Sequence, residues 1–414
     1  MNFKSESGQA LILLVLGVVA LLGFTALAVD GGMVYSDRRN AQMGTDAASL
    51  AGGGEAAIQM EDRGITYQNF NCGSGSMAAT LTAAETTAIE RAADNHYTLD
   101  LDVSDKNGVD AVCGITGFDK YVDIKTWVTA DTETSFIQFV YSGAARNTVH
   151  AITRVRPRSP AAFGHAIVAL NPADCQGQQN GAGFHGSEGT FVQGGGIFSN
   201  GCLQADGNAG DITVDPGNIS YVGEVDDSHN LFDPPPQQVT ETIDSTAFSI
   251  EEPNCDDPAA WNGSGPALKS LGTLGAGLYC VTGELRLNAG DVFSGTGITI
   301  KMVDGGLRIN GGALVQITAP VPGSNASPAI PGVLIYAPAS NHEEIQLNGN
   351  SDSFFTGTVY APGADINLLG NGEMDAFHSQ LIGWNVEIGG NADAYVLFDA
   401  NEQYSRPAAI ELYK

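Results

Sequence analysis

The hydrophobic pattern opens with residues 10–29, ALILLVLGVVALLGFTALAV, twenty residues without a charge. At 1.5 Å per residue such a helix spans a ~30 Å hydrocarbon core once. No second run of this kind follows, so the pattern predicts one transmembrane helix over 10–29, with residues 1–9 as a cytoplasmic N-terminus. Lys4 on one side is balanced by Arg38 and Arg39 on the other, where they follow Asp30 and Asp37. Basic residues therefore do not decide the orientation. All six cysteines and the glycine-rich remainder lie beyond the run and favour an extracytoplasmic C-terminal side. Ala26-Leu27-Ala28 has the small-x-small form of a signal-peptidase site, which leaves a secreted product open. The length of the run and the helical spacing that continues past it favour retention in the membrane.

Beyond the run, Val34, Ala41, Ala47, Ala48 and Ala51 recur at helical spacing and predict a stalk helix, with Gly31-Gly32 as a hinge. Thr82-Ala83-Ala84-Glu85 has the form of a capping box and predicts a second helix running through Ile89 and Ala93 toward His96, closing near Asp100. Residues 121–128 alternate as a strand, a short helix is expected over 136–141, and a further strand over 148–155. Pro157 and Pro160 interrupt both periodicities. The expected division is thus a stalk and small α+β domain over 30–158 and a second domain over 159–414.

In the second domain the period changes. Leu285-Arg286-Leu287-Asn288, Leu307-Arg308-Ile309-Asn310, Ile345-Gln346-Leu347-Asn348, Ile366-Asn367-Leu368-Leu369 and Val386-Glu387-Ile388-Gly389 align, with starts 22, 38, 21 and 20 residues apart. The long interval holds a Pro/Gly/Ser/Asn-rich insertion at 320–331, and a second strand recurs between units at 298–300, 334–338 and 358–362. Coils of about 20 residues with several short strands predict a parallel β-helix, a solenoid whose coils bury alternate apolar residues against their neighbours. In that register Arg286 and Arg308 stack in one outward row with Gln346, Asn367 and Glu387, as a solvent-facing edge does.

Composition sharpens this picture. There are 53 glycines in 414 residues without a three-residue period, which suits turn-dense β-structure and excludes an all-helical protein. Residues 1–159 carry 12 basic and 18 acidic side chains, net −6, whereas residues 160–414 carry 6 and 29, net −23. Such a body has no basic face for nucleic acid. Its carboxylates solvate a surface, and structural calcium is the one cofactor left open. Asp105 to Asp110 resembles part of an EF-hand loop, but Val103 and Gly114 stand at the first and twelfth ligand positions, so a turn is expected there and no metal site.

None of Cys72, Cys113, Cys175, Cys202, Cys255 and Cys280 forms a C-x-x-C pair, so disulfides are expected rather than zinc or redox chemistry. Sequential pairing keeps each bridge within one region, although six cysteines permit fifteen connectivities. His165, His185, His229, His342 and His378 have no recurrent partner, and no G-x-S-x-G, H-E-x-x-H or P-loop occurs. No catalytic residue is assigned. Within the membrane, Gly17, Gly23 and Ala26 are the small residues through which the helix would pack on others.

Gly8-Gln9-Ala10, Ala28-Val29-Asp30-Gly31-Gly32, Arg38-Arg39 and Thr45-Asp46-Ala47-Ala48-Ser49-Leu50-Ala51-Gly52 resemble the N-terminus of the TadE/TadG-like assembly family of tight-adherence (Flp) pili. The apolar helix lacks the acidic residue of the cleaved pseudopilin type, so the resemblance is to the membrane-retained TadG-like type. It implies a pilin-like α+β unit on the transmembrane helix, with the bilayer and other pilus-assembly subunits as partners. TVYAPGADINLLGNG and NVEIGGNADAYVLFD resemble the C-terminal β-helical region of pilus-associated and adhesin-like surface proteins. A non-enzymatic, membrane-anchored envelope protein in pilus assembly or surface adhesion is the expectation, with a surface or carbohydrate ligand. The contrasting classes are a secreted or tethered carbohydrate-active enzyme and a passive cation-binding surface-layer module.

Overall fold

The computed structural model describes residues 7–104, 106–136, 143–175, 180–248, 250–370 and 376–413. The chain divides into two compact units, residues up to Arg158 together with 407–413, and residues 159–406.

The first unit is built on helix α1, Ser7–Asp62, 56 residues and about 84 Å long. It passes through Gly31 and Gly32 unbroken, so the expected hinge is a continuous helix. Among the described residues of its apolar part only Ala26 is half-buried; Asp30 at its end is buried, and a buried stripe follows on one face at Ala41, Gly44, Thr45, Ala48, Ser49, Gly52, Gly53 and Ala56. These small residues let other backbone approach. A Cβ on Gly52 would meet the Ala84 carbonyl oxygen at 2.8 Å, and one on Gly53 would meet Thr153 Cγ2 at 2.5 Å. The Thr126 hydroxyl donates to the Thr45 carbonyl at 3.1 Å, and the Ser49 and Thr153 hydroxyls are 2.9 Å apart.

Helix α2 spans Gly75–Asp94 and starts seven residues before the expected cap. Ser74 caps it by accepting the Met77 N–H at 3.1 Å, while Thr82 lies inside and donates to the Ala78 carbonyl. Glu85 instead accepts the Ala111 N–H at 3.1 Å, tying the helix to the sheet. The helix stops short of Asp100, because the backbone at His96 turns to φ 69°.

Strands β1 (Gly108–Thr116), β2 (Asp119–Thr132) and β3 (Ala145–Arg156) form an antiparallel sheet. The turn expected at Asp105 to Asp110 gives way to β1 from Gly108, no element being expected over 111–116, and β2 is longer at both ends than the alternation implies. Residues 137–141 of the expected short helix lie outside the described residues, and Phe136 is not helical. The fourth strand, Ala409–Leu412, pairs with β3 through Arg154 with Glu411 and Val155 with Ile410. The second domain therefore ends at Arg406 rather than at residue 414. Side chains explain the return. Arg154 stacks 3.7 Å from the Tyr121 ring and 4.3 Å from the Tyr413 ring, and Arg156 bonds Glu411 at 2.8 Å.

The second unit is mostly parallel β-sheet. All five aligned repeats fall in one eight-stranded sheet, with Leu285, Leu307, Ile345, Ile366 and Val386 in register. The sheet then continues through Ala182, Leu203 and Val225, earlier in the chain. A second buried row runs Tyr279, Ile300, Ile335, Val359, Leu381, Ile167, Ile197, Ile219. A third runs Ile317, Phe355, Phe377, Val396, Val192, Val214, with the Phe355 and Phe377 rings stacked at 5.3 Å. The chain thus enters beside the repeat that it lays down last, and Ser159–Pro160 pairs with Ser405–Arg406. At one end of the stack the strands shrink to two residues, Val225–Asp226, Phe232–Asp233 and Gln237–Gln238, next to Pro234. Two-residue strands, with Asp226 and Asp233 in two of them, blunt an edge against further pairing.

Candidate functional site

The sequence points first to the apolar part of α1. Leu11, Phe24 and Leu27 are exposed, and none of the most apolar stretch is buried. No heavy atom lies within 4 Å of a Cβ built on Gly17 or Gly23, and Ala26 is half-buried. At about 100° per residue the helix sets Gly23 and Ala26 on one side and Gly17 opposite Ala26. The three small residues therefore do not make a single close-approach face. The run ends at Asp30, which is fully buried and accepts the backbone N–H groups of Ser135 at 2.8 Å and Phe136 at 3.0 Å.

The cysteines pair in sequence, Cys72 with Cys113, Cys175 with Cys202, and Cys255 with Cys280.

The outward row of the eight-stranded sheet is the second candidate. In spatial order it reads Arg286, Arg308, Gln346, Asn367, Glu387, Gly183, Gln204, Asp226. The two arginines stack as expected and are neutralised, Arg286 by Glu284 at 2.7 Å and Arg308 by Glu344 at 2.8 Å. Further along, the row turns acidic and sinks. Glu387 is 7% exposed, and its carboxylate lies 3.6 Å from His185 Nε2. The next rung, Gly183, has no side chain, and a cavity of about 170 Å³ opens there, lined by Asn180, His185, Gln204, Asp206 and Glu387. Burial raises the Glu387 carboxyl above the usual carboxylate range. His185 acts against that shift, and Asp365, Glu344 and Asp206 reinforce it.

A second, more open cavity of about 480 Å³ contains Asp352, Phe354, Thr356, His378 and Glu402. His378 Nδ1 and Glu402 Oε2 are 2.9 Å apart. The nearby Ser353 hydroxyl is occupied, donating to the Ala313 carbonyl and accepting the Val315 N–H. Sequence reasoning left His185 and His378 without partners, because their carboxylates lie 202 and 24 residues away in the chain. His229 pairs with Ser228, and His342 with the Gly363 carbonyl. Among the described residues, no group of three or more His, Cys, Asp and Glu is placed to hold a metal ion.

Residues 8–57 match the family model Tad, described as Flp pilus-assembly TadE/G-like. No curated protein and no solved structure matches the chain. The matched residues run from the first turn of α1 past Ala56 and take in the buried stripe from Ala41 to Ala56, with Thr45, Ala48, Ser49 and Gly52. The chain therefore carries a Tad-like pilus-assembly segment on a helix long and apolar enough to cross a membrane.

Proposed function

We propose that this is a membrane-anchored, TadG-like protein of pilus assembly, with a structural rather than a catalytic role. In this reading residues 10–29 cross the bilayer, residues 1–9 stay in the cytoplasm, and everything from Asp30 onward is extracytoplasmic. The second unit is a parallel β-helix whose outer faces meet other envelope or surface components. One observation carries the proposal. The helix matched by the Tad family is continuous but made for two surroundings, apolar on every side before Asp30 and packed along one stripe of small residues from Ala41 on. Three disulfides, all beyond the apolar run, support an oxidising compartment for both units.

The test is intact-mass and N-terminal sequencing of the protein from its own membranes, fractionated against culture medium. A start at or near Met1 in the membrane fraction is expected. A start at Val29 in the medium would refute the anchor and leave a secreted β-rich protein.

A further inference from the structure

The hollow beside Gly183 is lined by acidic and amide side chains. Glu387 is nine-tenths buried, yet its nearest charged partner among the described residues is His185 at 3.6 Å, beyond hydrogen-bond distance. A carboxylate removed from water in this way is costly unless it is paired. Arg308, the nearest arginine in the row, stands three rungs away and is already engaged by Glu344. Asp206 adds a further negative charge, and its Oδ1 accepts from Gln204 Nε2 at 3.2 Å. The described lining contains neither Lys nor Arg.

Three observations narrow what would fill it. The carboxylates and His185 do not converge closely enough to hold a metal ion. Anionic walls repel phosphate, sulfate and carboxylate groups. A volume of about 170 Å³ suits a single sugar ring better than an extended chain, and the lining combines amides and carboxylates with apolar surface, as the hydroxyl rim and apolar face of a pyranose require. The ring of Phe184 turns into the core, with Phe184 only 2% exposed. A lysine side chain would bring no hydroxyls to Gln204 and Asp206, whereas a sugar ring would.

We propose that this hollow binds an amino sugar carrying a free ammonium group, with Glu387 taking the charge and Gln204 and Asp206 taking ring hydroxyls. The proposal goes beyond membrane anchoring and does not depend on it.

The experiment is calorimetric titration of the full chain in detergent micelles at neutral pH with D-glucosamine, D-glucose, N-acetyl-D-glucosamine and Nα-acetyl-lysine methylamide. Saturable binding of glucosamine is expected, with glucose and N-acetylglucosamine at least about tenfold weaker because they lack the charge. Glu387→Gln keeps the shape and should weaken glucosamine binding by about tenfold or more. Gly183→Val should abolish it. That backbone is strand, outside the left-handed region, and an added Cβ meets only Glu387 Cγ, at 3.8 Å. The added Cβ thus has room, and an unchanged melting temperature verifies the fold. Equal binding of glucose and glucosamine, tighter binding of the lysine derivative, no saturable binding of glucosamine, or affinity unchanged in both variants would overturn the proposal. None of these outcomes bears on membrane retention, which fractionation reads separately.

Discussion

Asp30 accepts the backbone N–H of Ser135 at 2.8 Å, joining the end of the apolar run to a loop 105 residues further along the chain. The same carboxylate takes the Phe136 N–H. A buried acidic residue directly after twenty uncharged ones would be a liability if it only marked the end of a membrane helix. Here it receives two backbone donors, so the folded unit is held at a fixed height on the helix.

Asp30→Ala would remove that acceptor. Ser135 and Phe136 are exposed enough for water to replace part of the loss, so the expected cost is about 1–2 kcal/mol. Amide hydrogen exchange should accelerate at Ser135 and Phe136, with Asp30→Asn intermediate. Exchange rates at these two amides unchanged by Asp30→Ala would show that the contact holds nothing.

Two neighbouring glycines of α1 should respond in opposite directions. A Cβ on Gly52 meets backbone of α2 at 2.8 Å, whereas Gly54 has nothing within 4 Å. Gly52→Ala should destabilise the first unit by about 1–3 kcal/mol through overpacking. Gly54→Ala should stabilise it by up to about 1 kcal/mol through helix propensity. Thermal unfolding of both variants checks the sign, and a loss of stability in Gly54→Ala would contradict the packing described.

The C-terminal strand should stabilise the first unit. Truncation after Arg406 removes the partner strand of β3, the Tyr413 face over Arg154 and the Glu411 partner of Arg156. The expected outcome is a lower melting temperature for the first unit with the second unit unaffected, read by scanning calorimetry. Tyr413→Ala alone should cost about 0.5–1 kcal/mol. If truncation left the first transition unmoved, the strand would be an ornament.

Much of the second unit was legible in the sequence because its repeats reuse one local pattern, an apolar residue, an outward residue and a second apolar residue. That pattern put Arg286 over Arg308 and Ile366 beside Val386. It missed the strands beginning at Ala182, Leu203 and Val225, because Ala182-Gly183-Phe184, Leu203-Gln204-Ala205 and Val225-Asp226-Asp227 lack the pair of large apolar residues flanking one outward residue, although their starts are 21 and 22 residues apart. With them went the cavity, since Gly183 matters only once Glu387 is known to be its neighbour across 204 residues of sequence. In the first unit, β1 was hidden by the Asp/Asn/Gly-rich segment before it. The capping box at Thr82 misled for a general reason. Threonine followed by glutamate three residues later fits a helix interior as well as a start, and Ser74 supplied the actual cap.

His165 should make the second unit acid-sensitive. The residue sits where the chain enters that unit, next to Phe198, one residue after Ala162 and Phe163, which hold left-handed backbone at φ 46° and 57°. Gln380 donates to the carbonyls of Ala161 and His165, closing the turn. The ring is 8% exposed, its Nδ1 has no partner, and burial lowers its pKa from 6.5 to about 4. The unfolded chain therefore takes up a proton on His165 below about pH 6.5 that the folded chain refuses. Stability from the neutral ring is complete above that pH and is lost progressively as the pH falls toward 4. Between pH 7 and 5 this amounts to about 2 kcal/mol. His165→Phe keeps a buried ring and removes the titration, so urea unfolding of this variant should show a shallower pH dependence by that amount, while the carboxylates titrate alike in both proteins. Parallel pH profiles, or a His165 resonance titrating near 6.5 in the folded protein, would show that the ring is hydrated and the turn open.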